Sequence, residues 1–518
     1  MSGLMSVNKC LHKRAYPTGD GLGLMLSVER CEMTLGELKR TGYRRETVKD
    51  EMRRNLRRKL AAGETLFPGI VGYDETVIPQ IVNAILARHD LILLGLRGQA
   101  KTRLLRALVN LLDDTVPVVA GSPLNDDPLH PVSAYARRVL AEEGDDTRLD
   151  LMPRERRYNE KLATPDVSIA DLIGDIDPIK ASREQRDFSD EEVIHYGIIP
   201  RTNRGIFAIN ELPDLQPRIQ VGLLNIMEEK DVQIRGFPIR LSLDIVMVYT
   251  ANPEDYTNRG AIITPLKDRI DSQIITHYPE DLEQAVAITD QEAWVDRGAD
   301  IRVPPLFKSI IEHIAFAARD SAFVDQSSGV SARLSIAARE SLVSNLEKRA
   351  LLKGESPVNP RICDLYALLP AMTGKLELVY EGEREGTTAV ALQLIGEGVK
   401  RAFRAEFPEV FRLATDKQPV ADERSRLYRA VSDYFKSDQS VEIADDMAYG
   451  EYVARLDAVT GLREVVAAKY PEADAGEIAT LMEFALEGLH QHSILAKASL
   501  TRAVKYQDVL ATMFREFE

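Results

Sequence analysis

One octapeptide constrains this chain more than anything else in it: Gly95-Leu96-Arg97-Gly98-Gln99-Ala100-Lys101-Thr102. It lies between the apolar run Leu91-Ile92-Leu93-Leu94 and an amphipathic segment marked by Leu104, Leu105, Leu108, Val109 and Leu112. Strand, glycine loop, Lys-Thr, helix is the order a phosphate cradle requires. Backbone N–H groups wrap the phosphates, and the helix N-terminus adds its partial positive charge. Lys101 would reach the β- and γ-phosphates, and the Thr102 hydroxyl would ligate Mg²⁺. Ala100 stands where the pattern has a second glycine, and one methyl group is tolerated there if φ is negative. An ordinary strand–turn–helix of a parallel sheet has the same composition, so the loop alone leaves that plainer reading open.

Two further strand tips carry polar residues. Gly205-Ile206-Phe207-Ala208-Ile209 reads as a buried strand ending in Asn210-Glu211. In phosphate-loop enzymes the equivalent strand ends in two acids, one steering Mg²⁺ and the other polarising the attacking water. Glu211 fits the second role. Asn210 offers the first an oxygen acceptor without the charge. A strand-end turn leading to Pro213 would look the same. Ile245-Val246-Met247-Val248-Tyr249 leads to Thr250-Ala251-Asn252-Pro253, where Asn252 can orient the lytic water. All three signals fall at strand C-termini, where sheets of this kind bind ligands.

The rest of the chain divides by pattern. Residues 1–61 hold a Gly-rich tail and a helical stretch with Val48, Met52, Leu56 and Leu60 on one stripe. The other faces of that stretch carry Arg53, Arg54, Arg57, Arg58 and Lys59. They are a basic contact or, the plainer reading, a solvated helix face. From 62 to 300 short apolar runs alternate with helical periods, which predicts an α/β unit. Val116-Pro117-Val118-Val119 is a further candidate strand, followed by a long polar insertion over about 123–200. Beyond Pro304-Pro305, helical periodicity marks 305–319, 331–350, 361–373 and 387–404. Residues 405–518 are expected to be all-helical as well.

Composition narrows the function. The 518 residues carry 81 acidic and 66 basic side chains, a formal net charge of −15 that disfavours sequence-blind binding to nucleic acid. Three cysteines without metal-like spacing fit a reducing compartment, and no run reaches the ~18 apolar residues of a membrane span. A cytoplasmic protein is expected.

On these motifs, roughly residues 64–400 resemble the MoxR and magnesium-chelatase I-subunit branch of the AAA+ ATPases. Alanine at the position of Ala100 is usual in that branch. Phe67-Pro68-Gly69-Ile70-Val71-Gly72 resembles its entry segment, so the resemblance gives Ile70, Val71 and Gly72 to adenine. Asn203-Arg204-Gly205-Ile206 followed by Asn210-Glu211 resembles the second acidic motif, and Asn252 the first sensor. Ile263–Arg269 resembles the arginine-finger stretch, putting that role on Arg269. Ser331-Ala332-Arg333 resembles the second sensor, on Arg333. Residues 169–177 look like the branch's insertion, and 228–236 like its hairpin.

The resemblance implies an αβα AAA+ core over 62–300, a helical lid over 301–404 and an extra C-terminal region. It also implies ATP and Mg²⁺ as cofactors, with Thr102 and Asn210 at the metal. Members of the branch form rings, commonly hexamers, and often work with a protein bearing a von Willebrand factor type A domain. An oligomeric ATPase remodelling a partner is therefore the leading expectation. Three alternatives stay open: an enhancer-dependent transcription regulator, a magnesium-chelatase subunit proper, and a nucleotide-gated scaffold with little turnover. The first lacks its polymerase-engaging loop and a basic recognition helix here.

Overall fold

The computed structural model describes residues 33–187, 190–229, 231–233, 240–253, 261–297, 300–407, 423–444, 447–499 and 503–509. They form two compact units. One runs through Gly95 and resumes over Ala100–His277; the other joins Leu96–Gln99 to the chain from Tyr278 onward. The tail over 1–32 and the tip of the 228–236 hairpin lie outside the described residues.

The first unit is organised by five parallel strands: β1 (Leu91–Leu94), β2 (Tyr158–Leu162), β3 (Gly205–Asn210), β4 (Ile245–Ala251) and β5 (Ser272–Ile275). Their order across the sheet is β5-β1-β4-β3-β2. β1, β3 and β4 are buried along their whole length, as expected of near-continuous apolar runs covered on both faces. Alternation sorts their side chains between two cores. Ile92, Phe207, Met247 and Tyr249 face one, while Leu93, Ile206, Val246 and Val248 face the other.

Helix α1 (Val48–Ala61) covers the second of these faces, its first turn capped by the Thr47 hydroxyl accepting from the Asp50 N–H at 3.2 Å. It buries Val48, Met52 and Leu56, but Leu60 is 44% exposed, against the four-residue stripe expected. Successive four-residue steps drift by about 40° each in a helix of 3.6 residues per turn, so the fourth member leaves the buried face. At the N-terminal ends of the strands Asp90 is buried, accepts the Met247 N–H at 2.9 Å and pairs with Lys49 of α1 at 2.9 Å. Ionic partners close that end of the sheet and leave polar strand tips at the other.

One expectation here holds in a sheet that the sequence does not indicate, and one needs correction. Thr115–Val119 is a strand, but it pairs antiparallel with Arg148–Pro153 in a separate three-stranded sheet. The segment expected to be a polar insertion supplies β2, whose Tyr-Asn-Glu-Lys-Leu sequence is compatible with a half-exposed edge strand bonded on one side only. Elsewhere in that stretch Ile169–Leu172 is a short helix, and Gly174–Ile176 pairs antiparallel with Ile194–Tyr196. Asp231–Gln233 and Arg240–Ser242 form the two arms of an antiparallel hairpin.

The second unit is mainly helical. Helices over Pro305–Asp320, Arg333–Lys353 and Thr387–Glu406 follow the expected periods and share one core running from Phe307 to Tyr506. The C-terminal region is not all-helical. Strands β6 (Val441–Ala444), β7 (Leu495–Ser499) and β8 (Ala503–Asp508) make an antiparallel sheet in the order β6-β8-β7. Runs of four to six residues are too short for a period to separate strand from helix.

Candidate functional site

β1 ends at Leu94, and the loop from Gly95 to Ala100 turns the backbone into helix α2 (Lys101–Ala107). The Gly95 N–H donates to Ala251 O at 3.2 Å, which ties the start of the loop to the end of β4. Gly98 has φ of 73°. Ala100 has φ of 55° and ψ of 15°, so the condition of a negative φ, under which its methyl group costs nothing, is not met. A left-handed L-residue costs about 1–2 kcal/mol. The Leu104 N–H donating to Ala100 O at 2.9 Å begins the helix from that residue, so the strain falls where the loop must turn sharply.

Three adjacent strand tips meet this loop. Lys101 Nζ donates to Asn252 Oδ1 at 2.7 Å and to Gly95 O. Thr102 Oγ1 donates to Asn210 Oδ1 at 3.3 Å. Glu211 follows in the left-handed region, φ 58° and ψ 49°, so the chain swings out of β3 just where the carboxylate begins. Its N–H donates to Thr250 Oγ1 at 3.0 Å, and that hydroxyl also lies 3.4 Å from Asn210 Oδ1. The register explains the meeting. Tyr249 sits opposite Ile209, so the next residues on the parallel strands, Thr250 and Asn210, are neighbours. Thr250 is absent from the motif reading. Its signal is a small hydroxyl side chain at the penultimate position of the buried strand β4.

The charged groups of this constellation are one ammonium, Lys101, and one carboxylate, Glu211. Thr102 and Asn210 add neutral oxygens, which suit a hard cation that keeps several waters and takes its charged ligands from phosphate. The residues therefore fit Mg²⁺ in company with phosphates. Among the described residues no group of three or more His, Cys, Asp or Glu side chains could hold a metal by itself.

The remaining expected site residues are placed as follows. Ile70, Val71 and Gly72 are half-buried, with Gly72 at φ 81°. They precede Tyr73, whose hydroxyl donates to His277 O at 2.8 Å and whose ring packs edge-on against that imidazole. Arg269 ends helix α4 (Thr264–Arg269). Its Nε and Nη2 reach Glu228 Oε2 at 2.9 and 2.5 Å, and its Nη1 reaches Pro265 O at 3.0 Å. Glu228 belongs to helix α3 (Pro217–Glu229), so Arg269 is not joined to the phosphate loop. Arg333 opens a helix of the second unit and is exposed, with no side-chain partner among the described residues. Leu96, Arg97, Gly98 and Gln99 also count with that unit. There Arg97 pairs with Glu377 and accepts a hydrogen bond on its carbonyl from Tyr278 Oη at 2.9 Å.

No protein-family model matches the chain. It is 27% identical over 245 residues to the magnesium-chelatase subunit ChlI of Nostoc sp. (strain PCC 7120), covering 46% of this chain and 60% of that one. The chloroplastic ChlI-1 subunit of Arabidopsis thaliana is 26% identical over 239 residues, covering 44% and 52%. The chain thus spans between half and three fifths of the length of these relatives. Among solved structures, BchI in complex with BchD of magnesium chelatase is matched at 20% identity and a TM-score of 0.33, over 62% of this chain and 98% of that one. NtrX from Brucella abortus with ATP is matched at 14% and 0.37, over 73% and 71%. Sheet order, glycine loop and the paired strand-tip residues define a protein of the AAA+ class. Within it, the chain is similar, at 26–27% identity, to the ChlI subunits of magnesium chelatase.

Proposed function

We propose that this protein binds ATP with Mg²⁺, hydrolyses it, and couples the cycle to remodelling of a partner protein as a ring, in the manner of a hexamer. The observation that carries the reading is the convergence of Lys101, Thr102, Asn210, Glu211 and Asn252 at the C-terminal tips of three neighbouring parallel strands. Gly95–Thr102 takes the phosphates, and Ile70, Val71 and Gly72 take the adenine. Lys101 turns from Asn252 and Gly95 O toward the β- and γ-phosphates once they arrive. Thr102 and Asn210 hold Mg²⁺ or its waters, and the metal supplies charge compensation on the phosphate oxygens. Glu211 accepts the proton of the attacking water, and Asn252 orients that water. Arg269 serves the γ-phosphate of a neighbouring subunit, and Arg333 answers the nucleotide from the lid.

The region from 405 to 518 is the part of the chain we assign to partner binding, and a von Willebrand factor type A protein is the partner class we favour. The cytoplasm is the compartment that goes with this reading; among the described residues no helix is long and apolar enough to cross a membrane. A second reading, a nucleotide-gated scaffold with little turnover, is favoured by one observation: Asn210 brings no charge to the metal. Two measurements test the proposal together. Lys101→Ala is expected to abolish binding of a fluorescent ATP analogue. Glu211→Gln is expected to keep that binding and lose ~10²–10⁴ in phosphate release, as for loss of a positioned proton acceptor. Tight binding by the wild-type protein without turnover in its assembled state would replace the first reading with the second.

A further inference from the structure

Away from the strand tips, on the solvent side of α1, the first unit holds an open concavity of about 940 Å³. Six arginines line it: Arg45, Arg53, Arg54, Arg57, Arg58 and Arg88. Only two carboxylates, Glu46 and Asp50, stand with them. In a chain with 81 acidic and 66 basic residues, that concentration of one sign is a local reversal of the protein's own charge. The helix explains how it arises. Arg53, Arg54, Arg57 and Arg58 recur three and four residues apart on the face opposite Val48, Met52 and Leu56, which are buried in the core.

The guanidiniums are only partly consumed internally. Arg54 is shared between Glu46 at 2.9 Å and Asp113 at 2.7 Å, and Arg88 holds Asp50 at 2.6 Å. Arg53 gives its Nε to Leu86 O at 3.1 Å and meets no carboxylate. The side chains of Arg57 and Arg58 are exposed and make no hydrogen bond or ion pair among the described residues. Arg53, Arg57 and Arg58 thus share one wall without carboxylate partners among the described residues, and their mutual repulsion favours an anion supplied from outside.

The lining chemistry selects the class of ligand. No Phe, Tyr or Trp lines the concavity and His130 is the one aromatic ring in its lining, so it lacks the series of platforms on which successive unpaired bases stack. The same wall already binds carboxylates through Arg54 and Arg88, whose planar forks match that group. Arg53 and Arg57, and likewise Arg54 and Arg58, are about 6 Å apart along the helix axis. That is close to the roughly 6.6 Å between same-side residues of an extended chain.

We propose that this concavity is a docking site for a carboxylate-rich segment of a partner protein, bound extended with successive same-side Asp or Glu side chains on Arg53 and Arg57 and with Arg58 beside them. The site is independent of the nucleotide loop. It is tested by fluorescence anisotropy of the full chain with a labelled peptide of alternating Glu and Ser, against a labelled single-stranded oligonucleotide of equal charge. The peptide is expected to bind, to weaken steeply with added salt, and to lose about tenfold or more in affinity in Arg57→Glu/Arg58→Glu. Arg57→Ala/Arg58→Ala serves as a milder second variant, and ATP-analogue binding by both variants reports that the first unit is intact. Preference for the oligonucleotide, peptide binding unaffected in both variants, or no peptide binding at low salt would each overturn the proposal.

Discussion

The Thr250 hydroxyl accepts the Glu211 N–H at 3.0 Å and lies 3.4 Å from Asn210 Oδ1, so one side chain braces both residues at the end of β3. Glu211 is held at φ 58°, a conformation that costs about 1–2 kcal/mol for an L-residue and needs a local partner to persist. Thr250→Val removes the acceptor while keeping the branched shape in a buried position. Its expected effect is a fall in kcat of about tenfold or more with nucleotide affinity little changed, and Thr250→Ser should recover most of the loss. Equal losses in Val and Ser variants, or a change confined to KM, would mean that Thr250 merely packs. Asn210 answers to a different measurement. Asn210→Asp adds a negative charge beside the Thr102 hydroxyl and should lower the Mg²⁺ concentration needed for half-maximal turnover. An unchanged Mg²⁺ dependence would take position 210 away from the metal.

At the scale of elements, the second unit carries a buried carboxylate whose titration is readable. Glu483 sits inside helix α5 (Ala475–Gln491), fully enclosed. Its Oε2 accepts from the Ile362 N–H and from Tyr452 Oη, both at 2.8 Å, while Oε1 has no hydrogen-bond partner among the described residues. Burial pushes its carboxyl above the ordinary 4.5, with the neighbouring Asp364 adding to the rise. The folded state then holds this proton more tightly than the unfolded chain, so its contribution to stability falls as pH rises from about 4.5 through the folded value. Glu483→Gln removes that slope. Urea unfolding at several pH values should show the variant gaining on the wild type toward neutral pH; parallel curves would contradict it. Elements of this kind were unevenly legible in the sequence. β1, β3 and β4 were readable because burial on both faces leaves an apolar run with no alternative. β2 was not, since an edge strand such as Tyr158–Leu162 keeps polar residues, and β6–β8 are too short to outvote helical neighbours. Val116–Val119 reads as a strand, but nothing local says which sheet receives it. Lys101, Thr102, Asn210, Glu211 and Asn252 were legible as strand-tip and loop residues. Thr250 was hidden because its part depends on cross-strand register, and the left-handed Ala100 because its conformation is imposed by the turn.

At the scale of the whole molecule, the position of Arg269 bears on assembly. Its guanidinium lies on Glu228 and Pro265 O, with its side chain 30% exposed, and no residue of the phosphate loop is among its partners. A surface ion pair of this kind is worth about 0–1 kcal/mol, so an approaching phosphate can displace Glu228 at little cost. If Arg269 serves the neighbouring subunit, catalysis belongs to an interface and a single chain is incomplete. Turnover per subunit should then rise with protein concentration and level off once assembly is complete. The decisive version mixes two inactive variants, Arg269→Ala and Glu211→Gln. In a head-to-tail ring assembled at random from equal amounts, about a quarter of the interfaces join an intact Glu211 to a neighbour's intact Arg269. Activity should return to about that fraction of wild type, although each variant alone is inactive. Were the arginine to act within its own chain, every subunit in the mixture would lack one group, and the mixed rings would stay silent at every ratio. Size-exclusion chromatography with two differently tagged variants establishes that mixed assemblies have formed, so silence in co-purified rings would remove the trans role from Arg269.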